Sequence, residues 1–417
     1  MSDDPVRIPA HGRPSAELLA EIDELHADDI DWRGGRAFSL VYHPDFEDLE
    51  ELLHEVGSRF LHENALNPFK YPSLMKMELE VIGMACDLLG TGARSGAVTS
   101  GGTESIFCAV QVARDHARAR GVAEPQLLTP STAHPAFAKA AKYLDIEHVR
   151  VPVGPDGRAD VAAMTAAMGE RTGLVVGSAP CYPFGVIDPI GDLAAAAAER
   201  GVLFHTDACL GGWLLPWYER LGEPVPPWDF RVPGVTSISA DVHKYGYTFK
   251  GASIVAYRDR ELLQLQQFWY DDWPGGLYAS GTPAGTRPAA PIAGAWAAIN
   301  RIGVDGYLAM ATTVRDTFVR FCEGIRGIPG LRITGDPDMS LCEFGADPAH
   351  QPLVDIGGVA DVMDAKGWNL DRQQGGLHLM ISPYHARIAD RFLADLAEAV
   401  AVHGVGSGKA ATYGGVV

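Results

Sequence analysis

The sequence is poor in basic residues relative to acidic ones. It has 34 Lys and Arg against 53 Asp and Glu, which gives a formal net charge of −19 at pH 7 with His neutral. Proteins that bind nucleic acid or anionic membranes contact phosphates through clustered Lys and Arg. The acidic excess therefore argues against both partners, but it leaves open a small anionic ligand, which needs only a local pocket.

Long apolar runs and paired cysteines are also missing. No stretch of about 18 consecutive apolar residues occurs, so no membrane span is predicted. The opening residues are polar and acidic, which argues against a signal or transit peptide. The six cysteines include no C-x-x-C pair, so we expect reduced thiols and a cytoplasmic location. No metal site is expected, because His205 and Asp207 have no third ligand at a sensible spacing.

Short apolar runs alternate with helical patterns between residues 90 and 260. This alternation is typical of βαβ units, and it predicts an α/β fold with a large, mostly parallel sheet. Seven strands are expected, over residues 96–100, 126–129, 148–153, 173–178, 201–206, 235–240 and 252–257.

Length and composition predict two to three domains. The chain has 417 residues, of which 47% are hydrophobic and 21% charged, so it can bury a large core. The pattern divides it into a helical N-terminal arm (1–60), a large α/β domain (61–290), a small C-terminal α/β domain (291–403) and a tail (404–417). The tail is rich in glycine, and we expect it to be flexible.

The segment TSGGTES, residues 99–105, lies where a predicted strand meets a predicted helix. Gly101 and Gly102 let a ligand approach the backbone closely, and Thr103 adds a hydroxyl at the start of the helix. The free N–H groups of a helix N-terminus favour an anion, so a phosphate site is one interpretation. An ordinary turn followed by a helix cap is the other.

Three further polar features also follow predicted strands. Asp207 lies in HTDACLGG, Lys244 in SADVHKYGYTFKG and His134 in STAHPAF. Taken singly, Asp207 could cap a turn, His134 could cap a helix, and Lys244 could extend to solvent. A lysine after a buried strand is nevertheless unusual, and burial near another cation makes an amine a Schiff-base nucleophile.

Together the four features would meet at one edge of a parallel sheet. An anion cradle, a flat imidazole, a carboxylate and an amine are the groups that a pyridoxal phosphate site requires. A nicotinamide site matches less well, because the segment lacks G-x-G-x-x-G. The sequence therefore predicts pyridoxal 5'-phosphate as the cofactor.

Six ordered blocks of the chain resemble those of the sphingosine-1-phosphate lyases. These enzymes belong to the pyridoxal-phosphate-dependent group that also holds the glutamate and aromatic amino-acid decarboxylases, and the resemblance runs from about residue 40 to 400. It implies the aminotransferase-like fold type I. The blocks are TSGGTES, STAHPAFAKAAKYL, GSAPCYPFGVIDPI, HTDACLGGW, SADVHKYGYTFKG and WPGGLYASGTPAGTRP.

The resemblance implies roles for the residues of the cofactor site. Lys244 would be the Schiff-base lysine, Asp207 the partner of the pyridine nitrogen and His134 the imidazole that stacks on the ring. Gly102, Thr103 and His243 would bind the cofactor phosphate. Gly281 and Thr282 would reach that phosphate from the neighbouring subunit, which implies a homodimer with a shared active site.

The resemblance also implies residues that contact the substrate. Tyr42 and Tyr182 match tyrosines that line the substrate, and Lys250 matches a lysine associated with its phosphate. Asn67 is present in the family's N-P-L-H-x-D segment, but Lys70 stands at the histidine position. Lysine can pair with a phosphate as a point charge, although it cannot shuttle a proton near neutral pH.

The leading hypothesis is an aldehyde-lyase that breaks the Cα–Cβ bond of a 2-amino-3-hydroxy substrate, with Tyr42, Tyr182 and Lys244 as candidates for reprotonation. The alternative is an amino-acid decarboxylase that uses the same site. A lyase for phosphorylated substrates needs a second anion site, for which Lys70, Lys250 and Arg287 are available. A third hypothesis, a protein of this fold without catalysis, is disfavoured because Lys244 is retained.

Overall fold

Each of the seven predicted apolar runs forms a strand in the computed structural model, which describes residues 5–415. The strands are Gly96–Thr99 (β1), Gln126–Pro130 (β2), Glu147–Val151 (β3), Thr172–Ser178 (β4), Leu203–Asp207 (β5), Ser237–Ala240 (β6) and Ser253–Tyr257 (β7). They form one sheet in the order β1-β7-β6-β5-β4-β2-β3. Only β7 runs against its neighbours, β1 and β6, so the sheet is mostly parallel as predicted.

Helices cover both faces of this sheet, which is why its strands are apolar runs rather than alternating patterns. Leu127 belongs to a buried cluster on one face, whereas its neighbour Leu128 belongs to the main core on the other. Leu174 and Val176 likewise belong to the cluster on one face of the sheet, and Val175 belongs to the core on the other. Successive side chains of a strand point to opposite faces. Because both faces are covered by helices, apolar residues are required at every position.

Twelve α-helices occur among the described residues. They are Ser15–His26 (α1), Leu49–Arg59 (α2), Pro72–Leu88 (α3), Gly102–Ala119 (α4), Ala136–Tyr143 (α5), Val161–Ala167 (α6), Ile190–Glu199 (α7), Leu215–Arg220 (α8), Arg260–Gln266 (α9), Ala289–Arg326 (α10), Ile356–Ala365 (α11) and Ala389–Val402 (α12). Gly211–Trp213 and Pro383–Arg387 form 3-10 turns. No helix between residues 5 and 415 is long and apolar enough to cross a membrane.

Helix α10 begins directly after Pro288, and it contains a kink at Gly303. Gly303 has φ 61° and ψ 179°, a left-handed conformation that glycine adopts without steric cost. The helix begins at Ala289, next to the predicted start of the small domain. The division into domains itself stays a prediction.

Two smaller antiparallel sheets complete the fold. Phe268–Tyr270 (β8) and Tyr278–Ser280 (β9) form a hairpin. Leu331–Ile333 (β10), Leu341–Ala346 (β11), Asp371–Arg372 (β12) and Leu377–Met380 (β13) form a four-stranded sheet in the order β10-β11-β13-β12. This sheet and helices α11 and α12 make up the predicted α/β layer near the C-terminus.

Carboxylates on and just before helix α11 hold the segment 404–415, for which the composition predicts flexibility. Asp355 accepts a hydrogen bond from the Gly406 N–H at 3.1 Å, and Asp361 accepts one from the Ser407 hydroxyl at 2.9 Å. The Lys409 ammonium lies 3.0 Å from a carboxylate oxygen of Asp364. These partners are some fifty residues away, so the local glycine content could not indicate them.

Candidate active site

The loops that follow five strands converge on one edge of the large sheet. Because β1 and β6 are both antiparallel to β7, they run in the same direction, and β2, β4 and β5 run parallel to β6. Their carboxyl ends therefore share one edge, where open α/β sheets bind ligands. A cavity of about 490 Å³ lies there; those of its lining residues that the sequence singled out are Tyr42, Gly101, Gly102, Thr103, His134, Tyr182, Asp207, His243, Lys244 and Lys250.

Helix α4 begins at this cavity with the predicted anion cradle. A Cβ atom on Gly102 would lie 2.6 Å from the Cys209 Sγ atom and 2.8 Å from a carboxylate oxygen of Asp241, so only glycine fits. The Ser100 N–H donates to the Glu104 carboxylate at 2.6 Å. The first-turn N–H groups of a helix have no partner within the helix, and here they border the cavity with the Thr103 side chain.

Lys244 follows β6, as predicted, and forms an ion pair with Asp241. Its Nζ atom lies 3.0 Å from the Asp241 Oδ2 atom, and both side chains are largely buried. Burial lowers the pKa of Lys244, but the negative charge of Asp241, together with smaller contributions from neighbours such as Tyr42 and Cys209, raises this pKa well above its ordinary value. Burial likewise opposes ionisation of Asp241, yet Lys244 and His243 lower its pKa. Both groups are therefore charged near neutrality.

Asp207 is the last residue of β5, and only one of its carboxylate oxygens is engaged. Oδ1 accepts hydrogen bonds from the Cys209 N–H at 3.1 Å and the Ser239 hydroxyl at 3.2 Å. Oδ2 has no hydrogen bond to any described residue, so it can accept one from a ligand in the cavity. His205, two residues earlier, is bonded through both ring nitrogens to serines of β6.

His134 lies after β2, and its hydrogen bonds define which ring nitrogen carries the proton. Its Nδ1 atom accepts a hydrogen bond from the Ala136 N–H at 3.1 Å, so the proton of the neutral ring is on Nε2. Burial lowers the pKa of His134, which favours this neutral form. The Nε2 atom lies 3.3 Å from the hydroxyl of Tyr413, a residue of the C-terminal segment.

Lys250 and Tyr42 contact each other in the wall of the cavity. The Lys250 Nζ atom lies 4.6 Å from the centre of the Tyr42 ring and donates to the His243 carbonyl at 3.4 Å. Burial and the positive charge of Lys244 lower the pKa of Lys250 to about 8. Within residues 5–415, Lys250 has no ion-pair partner, so it is a free cation at the cavity.

Tyr182 is positioned by the small sheet. Its hydroxyl donates to the Asp371 Oδ2 atom at 2.6 Å, and its ring stacks on His378 at 4.2 Å between centroids. Burial, followed by the charge of Asp371, raises the pKa of Tyr182 above its ordinary value. Strands β12 and β13 therefore hold the Tyr182 side chain from the far end of the chain.

Four predicted site residues lie outside the cavity of this chain. Asn67 and Lys70 are exposed, and the Asn67 side chain only accepts a hydrogen bond from the Phe69 N–H. Gly281 and Thr282 follow the β8–β9 hairpin and do not line the cavity. Arg287, which the sequence offered for a second anion site, instead donates two hydrogen bonds to the Glu78 carboxylate. The longer one, from Nη2 to Oε2, measures 3.2 Å.

Four residues of the site were missed by the sequence reasoning. Asp241 stands three residues before Lys244, a spacing that could have indicated an ion pair. Cys209 lies in the HTDACLGG block, where its side chain approaches Gly102. Asp371 and Tyr413 carry no local signal, because only the tertiary fold brings them near Tyr182 and His134.

The residues present fit pyridoxal phosphate. The space that a Cβ atom on Gly102 would fill lies at the N-terminus of helix α4, where a phosphate can bind. The free oxygen of Asp207 suits a protonated ring nitrogen, His134 offers a flat neutral ring, and Lys244 offers an amine in the same cavity.

The family comparison agrees with this fit. Residues 3–270 match the pyridoxal-dependent decarboxylase conserved domain. The chain is 40% identical to the sphingosine-1-phosphate lyase of Oryza sativa subsp. japonica over 397 residues, which cover 93% of this chain and 72% of that protein. It is 41% identical to sphingosine-1-phosphate lyase 1 of Rattus norvegicus over 400 residues, which cover 94% of this chain and 69% of that protein.

Solved structures show the same relationship. The sphingosine-1-phosphate lyase of Burkholderia pseudomallei superposes with a TM-score of 0.91 at 38% identity, covering 96% of this chain and 93% of that one. The glutamate decarboxylase of Lactobacillus brevis, with a TM-score of 0.84 at 20% identity, covers 97% of each chain and shares the fold. The chain therefore belongs to the sphingosine-1-phosphate lyases of the pyridoxal-dependent decarboxylase family, and it is a pyridoxal-phosphate-dependent lyase.

Proposed function

We propose that this lyase breaks the Cα–Cβ bond of a 2-amino-3-hydroxy substrate that carries a phosphate, such as a sphingoid phosphate, and releases an aldehyde. The observation that carries the proposal is Lys250, a cation without an ion-pair partner among the described residues. It lines the cavity in addition to the cradle of helix α4, so the site can take two anions. The names of the related lyases support the same substrate class.

The geometry of the cavity supports the following cofactor-binding roles. Gly102, Thr103 and His243 would bind the cofactor phosphate, and Lys244 would supply the amine that bonds to the cofactor. Asp207 would accept a hydrogen bond from its ring nitrogen, while His134 would stack on the ring. When bound, pyridoxal phosphate takes up the electron pair of the breaking bond.

The tyrosines are proposed to bind the substrate and hold protons. Burial raises the pKa of Tyr42 well above its ordinary value, so its hydroxyl keeps its proton near neutrality. The Tyr182 proton already points to Asp371, whereas the Tyr42 hydroxyl has no hydrogen bond to a described residue. Tyr42 is therefore better placed than Tyr182 to give a proton to the carbon from which the aldehyde departs.

Product analysis of the cofactor-loaded enzyme tests this function. A phosphorylated 2-amino-3-hydroxy alkane should give an aldehyde and 2-aminoethyl phosphate, while its unphosphorylated counterpart should react at least about tenfold more slowly for lack of the Lys250 contact. A panel of amino acids is the control. Release of CO₂ with the amine retained would establish the decarboxylase instead.

A homodimer is proposed as the active unit. The β8–β9 hairpin exposes large apolar side chains, with Trp269 60%, Trp273 51% and Leu277 65% accessible, and such a patch is typical of a protein interface. Gly281 and Thr282 follow this hairpin, and the segment with Asn67 and Lys70 is also exposed. A second copy could therefore bring these residues to the cavity. Light scattering should give twice the chain mass, and Trp269→Glu should yield an inactive monomer; a fully active monomer would contradict the dimer.

A cytoplasmic location is proposed as well. All six cysteines are buried and free of disulfide bonds, which suits a reducing compartment. Fractionation of cells that produce the protein would test it, and recovery outside the cytoplasm would refute it.

A further inference from the structure

Tyr413 lies between two cavities. It lines the 490 Å³ cavity with Lys244, and it also lines a neighbouring cavity of about 710 Å³ that includes Arg150, Glu343 and Arg372. His134 and Tyr182 are the other residues that both cavities share. Tyr413, His134 and Tyr182 therefore form the boundary between the two cavities.

The Tyr413 side chain packs against these two shared residues. Its ring centre lies 4.8 Å from that of Tyr182 and 5.4 Å from that of His134, the latter in an edge-to-face arrangement. The residue remains 45% exposed, so it borders both cavities without being enclosed by protein. Tyr413 is thus held by aromatic contacts but keeps an accessible face.

The tail that carries Tyr413 is fastened to the same framework as Tyr182. Ser407 bonds to Asp361 and Lys409 to Asp364, and both carboxylates also bind Arg372, at 2.7 and 2.8 Å. Arg372 follows Asp371, the residue that accepts the hydrogen bond from the Tyr182 hydroxyl. This chain of ion pairs fixes the tail relative to the cavity wall.

The hydrogen bond between Tyr413 and His134 has a defined direction. The Ala136 N–H occupies Nδ1 of His134, so Nε2 carries the ring proton and donates to the Tyr413 oxygen. The tyrosine hydroxyl proton is then free to be donated elsewhere. Partial burial raises the pKa of Tyr413, which keeps that proton in place near neutrality.

We propose that Tyr413 contacts the substrate by donating a hydrogen bond from its hydroxyl, and that residues 404–415 form the lid that carries it. The proposal rests on the function proposed above, and adds a residue from the tail to Tyr42 and Tyr182. Since the Tyr182 proton is engaged by Asp371, Tyr42 and Tyr413 are the two tyrosines of the cavity with a proton to offer.

Two variants of Tyr413 separate its hydroxyl from its ring. Tyr413→Phe keeps the ring contacts, and we expect kcat/KM for the phosphorylated amino alcohol to fall about three- to tenfold, the effect of one lost hydrogen bond. The affinity for pyridoxal phosphate, followed by absorbance, should stay within about twofold of wild type. The matched control is Tyr143→Phe, because Tyr143 is 69% exposed and lines neither cavity. Unchanged kcat/KM in Tyr413→Phe, or lost cofactor binding, would overturn the substrate contact.

Limited proteolysis tests the lid without substrate. Lys409 is the trypsin site nearest to Tyr413, and its ammonium is held by Asp364. In Tyr413→Ala, mass spectrometry should show cleavage after Lys409 at least about threefold faster than in wild type, because the aromatic contacts that hold the tail are lost. Equal rates would overturn the lid. Because this readout needs no turnover, it still reports on the lid if the wild-type enzyme forms no aldehyde, which would refute the proposed function alone.

Discussion

The Lys244 ammonium lies 3.0 Å from the Asp241 carboxylate in the wall of the cofactor cavity. The other Asp241 oxygen, Oδ1, is buried and has no hydrogen-bond partner within the described part of the chain. Asp241 therefore relies on Lys244 for its compensation, and the Lys244 amine is held where the cofactor fits. This pair links the stability of the apoenzyme to the lysine that we propose to bind the cofactor.

Asp241→Asn should destabilise the apoenzyme by about 3–5 kcal/mol, since it leaves Lys244 as a largely buried cation without its ion-pair partner. The pKa of Asp241 is lowered, so its charge contributes stability that is present above the ordinary pKa of 3.8 and is lost as pH falls. The pKa of Lys244 is raised, so its charge contributes stability that is present below the ordinary pKa of 10.5 and is lost at higher pH. Urea unfolding should therefore show a constant difference from about pH 5 to 9 that shrinks in acid. The control is Asp390→Asn, because the Asp390 side chain is 83% exposed. Equal free energies of unfolding for Asp241→Asn and wild type would contradict the proposed role of the pair.

Lys244→Ala should abolish both activity and the visible absorbance of the covalently bound cofactor, because no other amine faces Asp207 and His134 in the same way. Purified protein reconstituted with pyridoxal phosphate provides the measurement. Lys142→Ala, an exposed lysine on helix α5, should behave as wild type. If the cofactor stays covalently attached to Lys244→Ala after borohydride reduction, as judged by the mass of the denatured protein, another lysine carries it.

Gly102→Ala should weaken cofactor binding by at least about 100-fold, because a new Cβ atom would overlap Cys209 and Asp241 at the anion cradle. Titration of the apoenzyme with pyridoxal phosphate measures the effect. The control is Gly92→Ala, where an added Cβ atom meets nothing within 4 Å. Wild-type cofactor affinity in Gly102→Ala would place the phosphate elsewhere.

The activity should depend on the charge of Lys250. Its pKa is lowered to about 8, so its positive charge is present below that pH and lost above it. For a phosphorylated substrate, kcat/KM, which reports groups of the free enzyme, should fall between about pH 7 and 9. Lys250→Arg keeps its charge and should flatten this fall, whereas Lys250→Gln should lower kcat/KM below about pH 8 and approach wild type above it. An identical profile for an unphosphorylated substrate would rule out the phosphate contact.

Much of the site could be predicted because its groups follow strands directly. Asp207, Lys244 and His134 each stand within a few residues of an apolar run, and parallel strands bring their carboxyl ends to one edge. The residue types and the local pattern were therefore enough to expect these three together. The same rule explains why all seven strands of the large sheet were predicted.

Residues that meet through the small sheet and the tail could not be predicted in this way. Tyr182 and Asp371 are 189 positions apart, and His134 and Tyr413 are 279 apart. No periodicity or spacing relates such pairs. The tail is similar, since its composition indicates flexibility while its partners, Asp361 and Asp364, lie on another helix.

The sequence by itself determined the large sheet, the cofactor and the position of Lys244 after a strand, because these depend on local patterns that repeat at strand ends. Tertiary structure decided how the groups are paired and which are free. It pairs Lys244 with Asp241, Tyr182 with Asp371 and Arg287 with Glu78. It leaves the charge of Lys250 and the hydroxyl proton of Tyr413 available to a ligand. The physical reason is that a buried polar group is defined by its neighbours, and packing between distant segments selects those neighbours.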